Sequence, residues 1–398
     1  MDDEARAFKN PYADYDGKDN SSEVTSHFRL RISEHIGAGL DWLHGHYDAK
    51  RDRDQSVYTG SSGIALLYLK LAQAESSYDR YLRNAAELVE TSRRTRRLTF
   101  LCGDSGPLAL SCVLREKLGE TERAKQLARD LSRLGAEARD ASLPSEYLYG
   151  HVGYLYSLLF VRAHLGEGWI DESDISRLCE VILESGKAGS RKFPSLKSPL
   201  VYTWHDKLYI GAAHGISGII YALLQVHALS PVSDHLHSHI KPTVDFLLTL
   251  KFPSGNYQSS FSNKTDRLVH WCHGAPGLVH AFVKAYEVFN EERYLAAARE
   301  CAEVVWKRGL LLKGDGICHG TAGNAYTFLI LYQTTKEPKY LHRACKFAEW
   351  CMNRDKSYSH PDHPWSLYEG LAGVLYFLAD ILDPMQSRFP GFALPRAS

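Results

Sequence analysis

The sequence has no long hydrophobic run and no excess of charge of either sign. No stretch of about eighteen or more apolar residues occurs, so we expect no integral membrane insertion. The 47 basic and 47 acidic side chains give a formal net charge of zero, so no strong field draws the chain to nucleic acid. With 398 residues, 44% of them hydrophobic, the chain is long enough for one large core or two ordinary domains.

The amino-terminal residues also lack targeting features. Met1 to Glu4 are largely acidic and contain no apolar signal-peptide core, and Asp2 stands where N-myristoylation requires glycine. The eight cysteines are scattered along the chain, which is unlike a disulfide framework. We therefore expect reduced thiols and a cytoplasmic location, with peripheral membrane association as the alternative.

Glycine, by contrast, recurs in a regular pattern. The motif G-x-x-G opens an apolar run seven times, starting at Gly60, Gly103, Gly150, Gly215, Gly274, Gly320 and Gly370. An apolar run follows each motif. In four cases a helix formed by the run would be apolar on almost every side, which is typical of fully buried helices. These runs are 63–71, 153–161, 218–224 and 373–382. Amphipathic segments lie between the runs, at 79–89, 292–306 and 339–351.

This alternation predicts an all-α fold, an α/α toroid in which seven inner and seven outer helices form two concentric rings. The first glycine of each motif would permit a sharp turn and the second a close approach of helices. We expect a single domain over 1–398, with an arm at 1–22 and helix-pair repeats at about 23–385. The longest irregular stretches, 186–209 and 251–268, have lengths often associated with function.

The residues that directly precede the seven turns should share one end of the toroid. They are Thr59, Cys102, Tyr149, His214, His273, His319 and Glu369. Three consecutive repeats contribute histidine, and two of these histidines follow a cysteine. Because the turns place the helix N-termini together, these side chains are expected to face a common cavity.

Cys272, Cys318 and His319 are the candidate metal ligands. Adjacent inner helices lie ~8–10 Å apart, so side chains from neighbouring helix starts can share one ion. A Cys2His set with an open fourth position is typical of catalytic zinc, whereas structural zinc usually has four protein ligands. The expected chemistry is thiolate generation, with water activation second. The alternative is that both cysteines are small buried hydrophobic residues.

Two further histidines are candidate catalytic groups. His214 could act as a general acid or base beside the metal, or it could be a core histidine bonded to a backbone carbonyl. His273 could be a fourth ligand, a proton donor or a residue that orients a ligand, and we favour a role other than ligand. Asp104 and Glu369 could pair as in toroidal glycosidases, but their repeats are not adjacent.

Several segments resemble the eukaryotic LanC-like proteins, relatives of the bacterial lanthionine cyclases. The specific ones are GAAHGISG at 211–218, HWCHGAPG at 270–277 and ICHGTAGNAY at 317–326. Shorter matches are NPYADY at 10–15, FLCGD at 100–104 and LYEG at 367–370. The similarity runs from about residue 5 to the end of the chain and is strongest to members without a myristoylation glycine.

The resemblance implies a seven-fold double α-toroid with one zinc ion held by Cys272, Cys318 and His319. His214 matches the proposed acid/base histidine of the bacterial cyclases, which add a cysteine thiolate to dehydroalanine or dehydrobutyrine. Eukaryotic members bind glutathione and are described as glutathione transferases. Their targets include dehydroamino acids in proteins, formed when phosphate is eliminated from phosphoserine or phosphothreonine.

The resemblance also implies a set of glutathione contacts, which are Arg6, Lys313, Ser359, His360, Pro361 and Asp362. The positive charges of Arg6 and Lys313 suit the two carboxylates of glutathione, although most lysine and arginine side chains are simply solvated. Ser359 replaces a family arginine, which puts one carboxylate contact in doubt.

Other departures concern the bacterial cyclases. They carry aspartate near the position of Glu146, tyrosine at that of His273 and a catalytic arginine at that of Leu268. We therefore expect intermolecular addition of glutathione rather than peptide cyclisation. The alternatives are a lanthionine-forming cyclase, or a zinc- and glutathione-binding redox sensor, since some relatives are linked to abscisic acid signalling.

Overall fold

A computed structural model describes residues 6–17, 24–49, 51–73, 78–89, 95, 97–140, 142–353 and 361–395. The α-helices in chain order are α1 Ser26–His46, α2 Ser61–Ala72, α3 Tyr78–Leu88, α4 Ser105–Lys117, α5 Thr121–Arg133, α6 His151–Leu165, α7 Glu172–Lys192, α8 Ile216–Gln225, α9 Val232–His235, α10 Lys241–Leu248, α11 Ala275–Phe289, α12 Glu292–Arg308, α13 Thr321–Thr335, α14 Pro338–Asn353 and α15 Leu371–Leu382. A π-helical turn, Leu236–Ile240, joins α9 to α10.

The helices form two concentric rings, which confirms the predicted α/α toroid. The inner ring consists of α2, α4, α6, α8, α11, α13 and α15, each packed against the next, and α15 packs against α2 to close it. Outer helices pack on the inner helix that precedes them in the chain. The first outer helix, α1, instead packs on the last inner helix, α15. None of the described helices is both long and apolar enough to cross a membrane.

Each of these seven motifs starts an inner helix, which begins at the residue after the first glycine except in α4, where it begins one residue later at Ser105. The residues before the helix starts provide no side-chain caps. Instead, in five repeats the loop folds back so that the N–H of the first helical residue donates to the carbonyl seven residues earlier. Ser61 donates to Asp54 over 3.0 Å and Thr321 to Gly314 over 3.1 Å. These bonds satisfy backbone donors that a helix start leaves without intrahelical partners.

The second glycine has a different role from the one predicted. A Cβ atom on Gly323 would lie 1.8 Å from the carbonyl oxygen of Ile317, and one on Gly106 would lie 1.9 Å from that of Phe100. The tightest contact is therefore with the chain's own preceding loop, six residues back, rather than with a neighbouring helix. The second glycine is therefore required because the preceding loop returns over the helix start and leaves no space for a Cβ atom.

The seven loops are joined to one another by backbone hydrogen bonds at one mouth of the toroid. The donor and acceptor residues are Tyr58 and Leu101, Phe100 and Gly153, Tyr147 and Ala213, Cys272 and Cys318, Cys318 and Tyr368, and Tyr368 and Tyr58. The contact between Gly211 and the carbonyl of Cys272 completes this circle. The loops thus hold the residues that precede the seven motifs close together. We call this end of the toroid the loop mouth.

The carboxyl-terminal segment fills the interior of the ring from the opposite side. Phe392 is fully buried and contacts Tyr147, Tyr221 and Trp271, with ring centroids 4.9, 4.5 and 5.2 Å away. The Tyr147 hydroxyl donates to the Phe392 carbonyl over 3.0 Å. The toroid therefore has a packed centre beneath the loop mouth.

The stretch 186–209 is less irregular than predicted, because α7 continues through it to Lys192. Gly186 and Gly189 lie within this helix. A Cβ on Gly189 would lie 1.9 Å from the carbonyl oxygen of Val201, and the Val201 N–H donates to the carbonyl of Gly186 over 3.0 Å. These glycines permit the return segment to pack directly on the helix backbone.

Candidate metal centre

Cys272, Cys318 and His319 converge at the loop mouth, as the sequence predicted. One ligand atom from each residue lies within 4.8 Å of the others. Both cysteines are buried and His319 is half-buried. Bond lengths of about 2.3 Å to sulfur and 2.0–2.1 Å to nitrogen put the ligand atoms of tetrahedral zinc roughly 3.5–3.8 Å apart. The three donors therefore suit zinc with small side-chain adjustments.

Burial and close contacts alter the protonation of this cluster. Burial raises the pKa of the Cys318 thiol well above its usual value, and the neighbouring Cys272 adds to this. Burial lowers the pKa of His319, but the hydrogen bond with Cys318 and the charges of Cys318 and Glu369 together outweigh that effect, so the pKa is raised. Thiolates and neutral imidazole are the metal-binding forms, so binding of a cation would release these protons.

Tyr58 belongs to the same cluster, although it was not singled out from the sequence. Burial raises its pKa well above the usual value, and the charges of Cys318 and Cys272 and a hydrogen bond with Cys318 add to this. Its ring stacks on that of Tyr368 with centroids 4.5 Å apart. Tyr58 lies two residues before the first glycine of its repeat, as Cys272 and Cys318 do, so an alignment of the repeats could have found it.

His214 lies at the same mouth and is held by a buried carboxylate. Its Nδ1 atom is 2.7 Å from an oxygen of Glu146, and that side chain is only 2% exposed. Glu146 also accepts hydrogen bonds from the backbone N–H groups of Leu148 and Tyr149. The carboxylate therefore fixes Nδ1 as the donor and leaves Nε2 of the imidazole for a substrate.

Aromatic rings fix the plane of the same imidazole. The Trp204 ring stacks on His214 with centroids 3.9 Å apart and an interplanar angle of 5°, and Tyr149 stacks on Trp204 at 5.7 Å. Trp204 comes from the stretch 186–209 that the sequence marked as functional. The alternative of a core histidine bonded to a carbonyl is wrong, because the partner of Nδ1 is a carboxylate.

His273 lies beside His214, with ring centroids 6.4 Å apart. Its Nδ1 atom is buried and has no hydrogen-bond partner among the described residues. Burial, together with the charges of His214 and other histidines, lowers its pKa to about 4. His273 is not one of the three clustered donors within the described chain.

His270 is a further histidine of the mouth that the sequence did not single out. Its ring lies 6.1 Å from that of His319. Burial lowers its pKa to about 3, and the charges of His319, Lys313 and Arg6 lower it further. Lys313 also lowers the pKa of His319, so both candidate glutathione-binding cations are within electrostatic reach of the cluster.

The remaining candidate residues are placed as follows. Lys313, Arg6 and Asp362 are exposed, and Pro361 is half-buried. Ser359 and His360 lie outside the described residues.

The second repeat carries Cys102 before its first glycine and Asp104 directly after it. Asp104 accepts hydrogen bonds from the backbone N–H and hydroxyl of Thr95, so it stabilises its own loop. Burial raises the pKa of Cys102 to about 12, and Glu146 adds to the effect.

These features define a class of protein. The family described as lanthionine synthetase C-like protein matches residues 51–394, and the chain belongs to this family. Among curated proteins it is 44% identical to the Glutathione S-transferase LANCL1 of Danio rerio, over 98% of this chain and 99% of that protein. It is 34% identical to the LanC-like protein GCL1 of Arabidopsis thaliana, over 86% of this chain and 82% of that one.

The solved structure of a nisin cyclase has the same fold. It superposes with a TM-score of 0.67 at 14% sequence identity, over 89% of this chain and 94% of that chain. At this identity the similarity concerns the toroid alone.

Proposed function

We propose that this protein is a zinc-dependent glutathione transferase that adds the glutathione thiolate to electrophilic alkenes such as dehydroalanine or dehydrobutyrine residues of proteins. The observation that carries the proposal is the convergence of Cys272, Cys318 and His319 beside His214, which is anchored by Glu146. The name of the Danio rerio relative supports glutathione as the co-substrate. Reduced glutathione is abundant in the cytoplasm, where we expect the protein to act.

The cluster residues would hold one zinc ion and leave room for a fourth ligand. When bound, the ion would favour the thiolate form of the incoming glutathione at neutral pH. Cys272 and Cys318 would supply two negative sulfurs, which would balance the charge of the ion. Tyr58 forms a hydrogen bond with Cys318 and would help to position that sulfur.

Arg6 and Lys313 would bind the two carboxylates of glutathione. Both are cations close to the cluster, since their charges affect its histidines, and guanidinium and ammonium groups form strong hydrogen bonds with carboxylates. Arg6 is held in place through its backbone, because the N–H of Leu312 donates to its carbonyl over 3.1 Å. The contact proposed for Ser359 lacks a cation, so these two residues would supply the positive charge.

His214 would supply the proton that completes the reaction. The thiolate forms a bond to the β-carbon, the alkene electrons move towards the carbonyl, and the α-carbon then takes up one proton. The thiol loses a proton before addition, so the overall reaction is balanced. Glu146 stabilises an imidazolium at His214, whereas His273 has no carboxylate partner among the described residues. We therefore assign proton delivery to His214 and a positioning role to His273.

The test is mass spectrometry of a dehydroalanine peptide incubated with the protein and glutathione. We expect a mass increase of one glutathione and about one zinc ion per chain by elemental analysis. Cys272→Ala and Cys318→Ala should lose both. Cys345→Ala, which changes a half-buried cysteine of the outer helix α14, serves as a matched control and should retain both.

Other outcomes would favour the alternatives. Thioether formation by a metal-free Cys272→Ala protein would contradict the mechanism. Zinc and glutathione binding without any adduct would favour a redox sensor. Ring formation within a peptide that carries both cysteine and dehydroalanine, in place of glutathione addition, would favour a cyclase.

A further inference from the structure

A further cation, Arg97, lies at the loop mouth. It belongs to the loop of the second repeat, ahead of Gly103. Its backbone is anchored on both sides, because its N–H donates to the Thr95 hydroxyl over 3.2 Å and its carbonyl accepts from the N–H of Asp104 over 2.8 Å. The exposed side chain of Arg97 therefore extends from a fixed point.

The guanidinium of Arg97 packs on an aromatic ring that borders the mouth. Its central carbon is 5.1 Å from the centroid of the Tyr149 ring, a distance at which the face of an aromatic ring attracts a cation. Burial raises the pKa values of Tyr149 and Cys102, and the positive charge of Arg97 opposes both shifts. Both residues directly precede a turn, so the charge of Arg97 acts at the mouth itself.

One carboxylate joins Tyr149 to the proposed proton donor. Glu146 accepts the backbone N–H of Tyr149 over 2.5 Å and lies 2.7 Å from Nδ1 of His214. The rings of Tyr149 and His214 are nearly parallel, with an interplanar angle of 12° and centroids 6.0 Å apart. Arg97, Tyr149 and His214 therefore follow one another along the mouth, and the last two are held by the same anchor.

Three carboxylates of the neighbouring loops already have partners of their own. Glu146 accepts two backbone N–H groups, Asp104 accepts the N–H and hydroxyl of a threonine, and Asp54 accepts a backbone N–H and a threonine hydroxyl. The guanidinium of Arg97 instead packs on Tyr149. A guanidinium carries five N–H donors, and packing against an aromatic face leaves donors for an oxygen ligand.

The proposed reaction creates negative charge beside the atom that is protonated. When the thiolate bonds to the β-carbon, the electron pair of the alkene moves towards the carbonyl, whose oxygen becomes an enolate oxygen. The α-carbon is separated from this oxygen by a single carbon atom. A cation for the oxygen must therefore lie close to the proton donor of the α-carbon, and donors aimed at such developing charge contribute strongly to catalysis.

The order of the repeats around the mouth separates the two substrates. Arg97 and Tyr149 belong to the second and third repeats, His214 to the fourth, and Cys272 and Cys318 to the fifth and sixth. The two cations proposed for glutathione act on histidines at the fifth and sixth repeats. Glutathione and the alkene would therefore approach the cluster from opposite sides, with the proton donor on the side of the alkene.

We propose that Arg97 binds the carbonyl oxygen of the electrophilic alkene and stabilises the enolate, while His214 protonates the α-carbon. This inference rests on the proposed function and adds a catalytic residue to it. The carbon–sulfur bond forms as the π bond of the alkene breaks, and the negative charge moves from sulfur to the enolate oxygen. The proton from His214 then restores a neutral amide. Arg97 keeps its protons throughout, so it acts by its charge and by hydrogen bonding.

The first test separates kcat from KM with N-acetyl-dehydroalanine amide as the alkene. Arg97→Gln removes the charge, and Arg123→Gln, at an exposed arginine of the outer helix α5, is the matched control. We expect Arg97→Gln to lower kcat at least about tenfold, which is less than the roughly 10²–10³-fold effect of a buried oxyanion donor because Arg97 is exposed. The KM for glutathione and the zinc content should not change, and the control should behave as the unmodified protein.

The conservative variant distinguishes a catalytic charge from a structural role. Arg97→Lys should retain kcat within about fivefold of the unmodified protein, because a point charge can serve a single oxygen. Equal losses in Arg97→Lys and Arg97→Gln would overturn the proposal. A raised KM for the alkene with unchanged kcat would also overturn it, since the interaction would then be equally strong before and during the reaction.

A binding experiment decides the proposal without turnover. The nitronate anion of nitroethane carries its charge on oxygens next to a planar carbon, as an enolate does, and neutral nitroethane is the comparison. In isothermal titration calorimetry we expect the unmodified protein to bind the nitronate at least about tenfold more tightly than nitroethane, as suits a charge-assisted hydrogen bond. Arg97→Gln, but not Arg123→Gln, should lose this preference.

The two experiments fail in different ways. Absence of a thioether product with the unmodified protein would contradict the proposed function, and the nitronate measurement then still decides whether Arg97 binds an enolate-like anion. No preference for the nitronate in the unmodified protein, or an equal preference in Arg97→Gln, would overturn the assignment of Arg97 while leaving the proposed function intact.

Discussion

At the scale of single residues, the histidine of the fourth repeat shows how a flexible side chain is made rigid. The buried carboxylate of Glu146 accepts hydrogen bonds from two backbone N–H groups and lies 2.7 Å from Nδ1 of His214, so its position is fixed from several sides. Trp204 then fixes the plane of the ring. A proton donor held in this way needs little reorganisation when the reaction occurs.

Replacing His214 should therefore impair chemistry and leave the metal in place. We expect His214→Asn to lower kcat about 10²–10⁴-fold, the usual contribution of general acid catalysis. Glu146→Gln should lower kcat by a smaller factor, because an amide stabilises an imidazolium less than a carboxylate does. Zinc content by elemental analysis should be unchanged in both. Loss of zinc from either variant would show that His214 and Glu146 maintain the structure of the loop mouth and do not act in the reaction itself.

At the scale of elements, the G-x-x-G turn couples the start of an inner helix to the loop that carries a ligand. Gly323→Ala would bring a Cβ to 1.8 Å from the Ile317 carbonyl oxygen, directly before Cys318, and Gly106→Ala makes an equivalent clash at 1.9 Å in a repeat without a ligand. We expect both to reduce the free energy of unfolding by at least about 2 kcal/mol. Only Gly323→Ala should also weaken zinc binding, measured by chelator competition. Equal zinc affinity in the two variants would contradict this coupling.

The amino-terminal arm is joined to the outer ring by an ion cluster around one buried guanidinium. The guanidinium of Arg343, which is fully buried, donates to Asp14 over 2.9 and 2.6 Å and to Glu303 over 2.9 and 3.0 Å. Burial opposes ionisation of both carboxyl groups, but the hydrogen bonds from Arg343 lower their pKa values. The arm also carries Arg6, so this cluster positions the segment that holds a proposed glutathione contact.

Arg343→Met should reduce the free energy of unfolding by about 1–3 kcal/mol at pH 7, since it removes a fully buried cation from two carboxylates. Their side chains are 40% and 42% exposed, so solvent screens part of the interaction. The native pKa values lie below the ordinary 3.8 and 4.5. The stabilisation is therefore present above about pH 4.5, and the difference between the proteins should shrink as pH falls below it. Urea unfolding at several pH values measures this. Arg299→Met, at a surface pair with Glu337, should cost less than about 1 kcal/mol, and an equal cost would contradict the account.

The sequence predicted helices and loops correctly where a short stretch of residues carried the whole signal. The inner helices and the convergence of Cys272, Cys318 and His319 were predicted correctly, because burial and glycine spacing are visible within a short window. The extent of α7 was missed because Gly186 and Gly189 suggest a loop unless their contact with Val201 is known. Trp204 was missed because an ordinary aromatic residue carries no sign of the distant loop that it joins, whereas the place of Tyr58 two residues before Gly60 was visible in the repeat.

At the scale of the whole molecule, the ring depends on the segment that fills its centre. Phe389 stacks on Trp271 with centroids 4.9 Å apart, and Trp271 directly precedes Cys272. Phe392 packs against the same indole. The closed double ring thus presents the loop of Cys272, a proposed metal ligand, on one side, and the end of the chain packs against this loop from inside the ring.

Truncation of this central side chain should destabilise the whole toroid. We expect Phe392→Ala to reduce the free energy of unfolding by about 3–5 kcal/mol, as for other fully buried phenylalanines, in urea unfolding monitored by circular dichroism. Phe193→Ala, at an exposed position after α7, is the matched control and should change it by less than about 0.5 kcal/mol. A cost below about 1 kcal/mol for Phe392→Ala would show that the ring is stable without a filled centre.

The most direct test of the central claim is the absorption spectrum of the protein reconstituted with cobalt(II) in place of zinc. Cobalt bound by two thiolates shows charge-transfer absorption, and a third thiolate increases it. The account predicts this absorption in the unmodified protein, its loss in Cys272→Ala, and a rise on addition of glutathione but not of S-methylglutathione. A spectrum that glutathione leaves unchanged would contradict the claim that Cys272, Cys318 and His319 hold a metal open to the thiol.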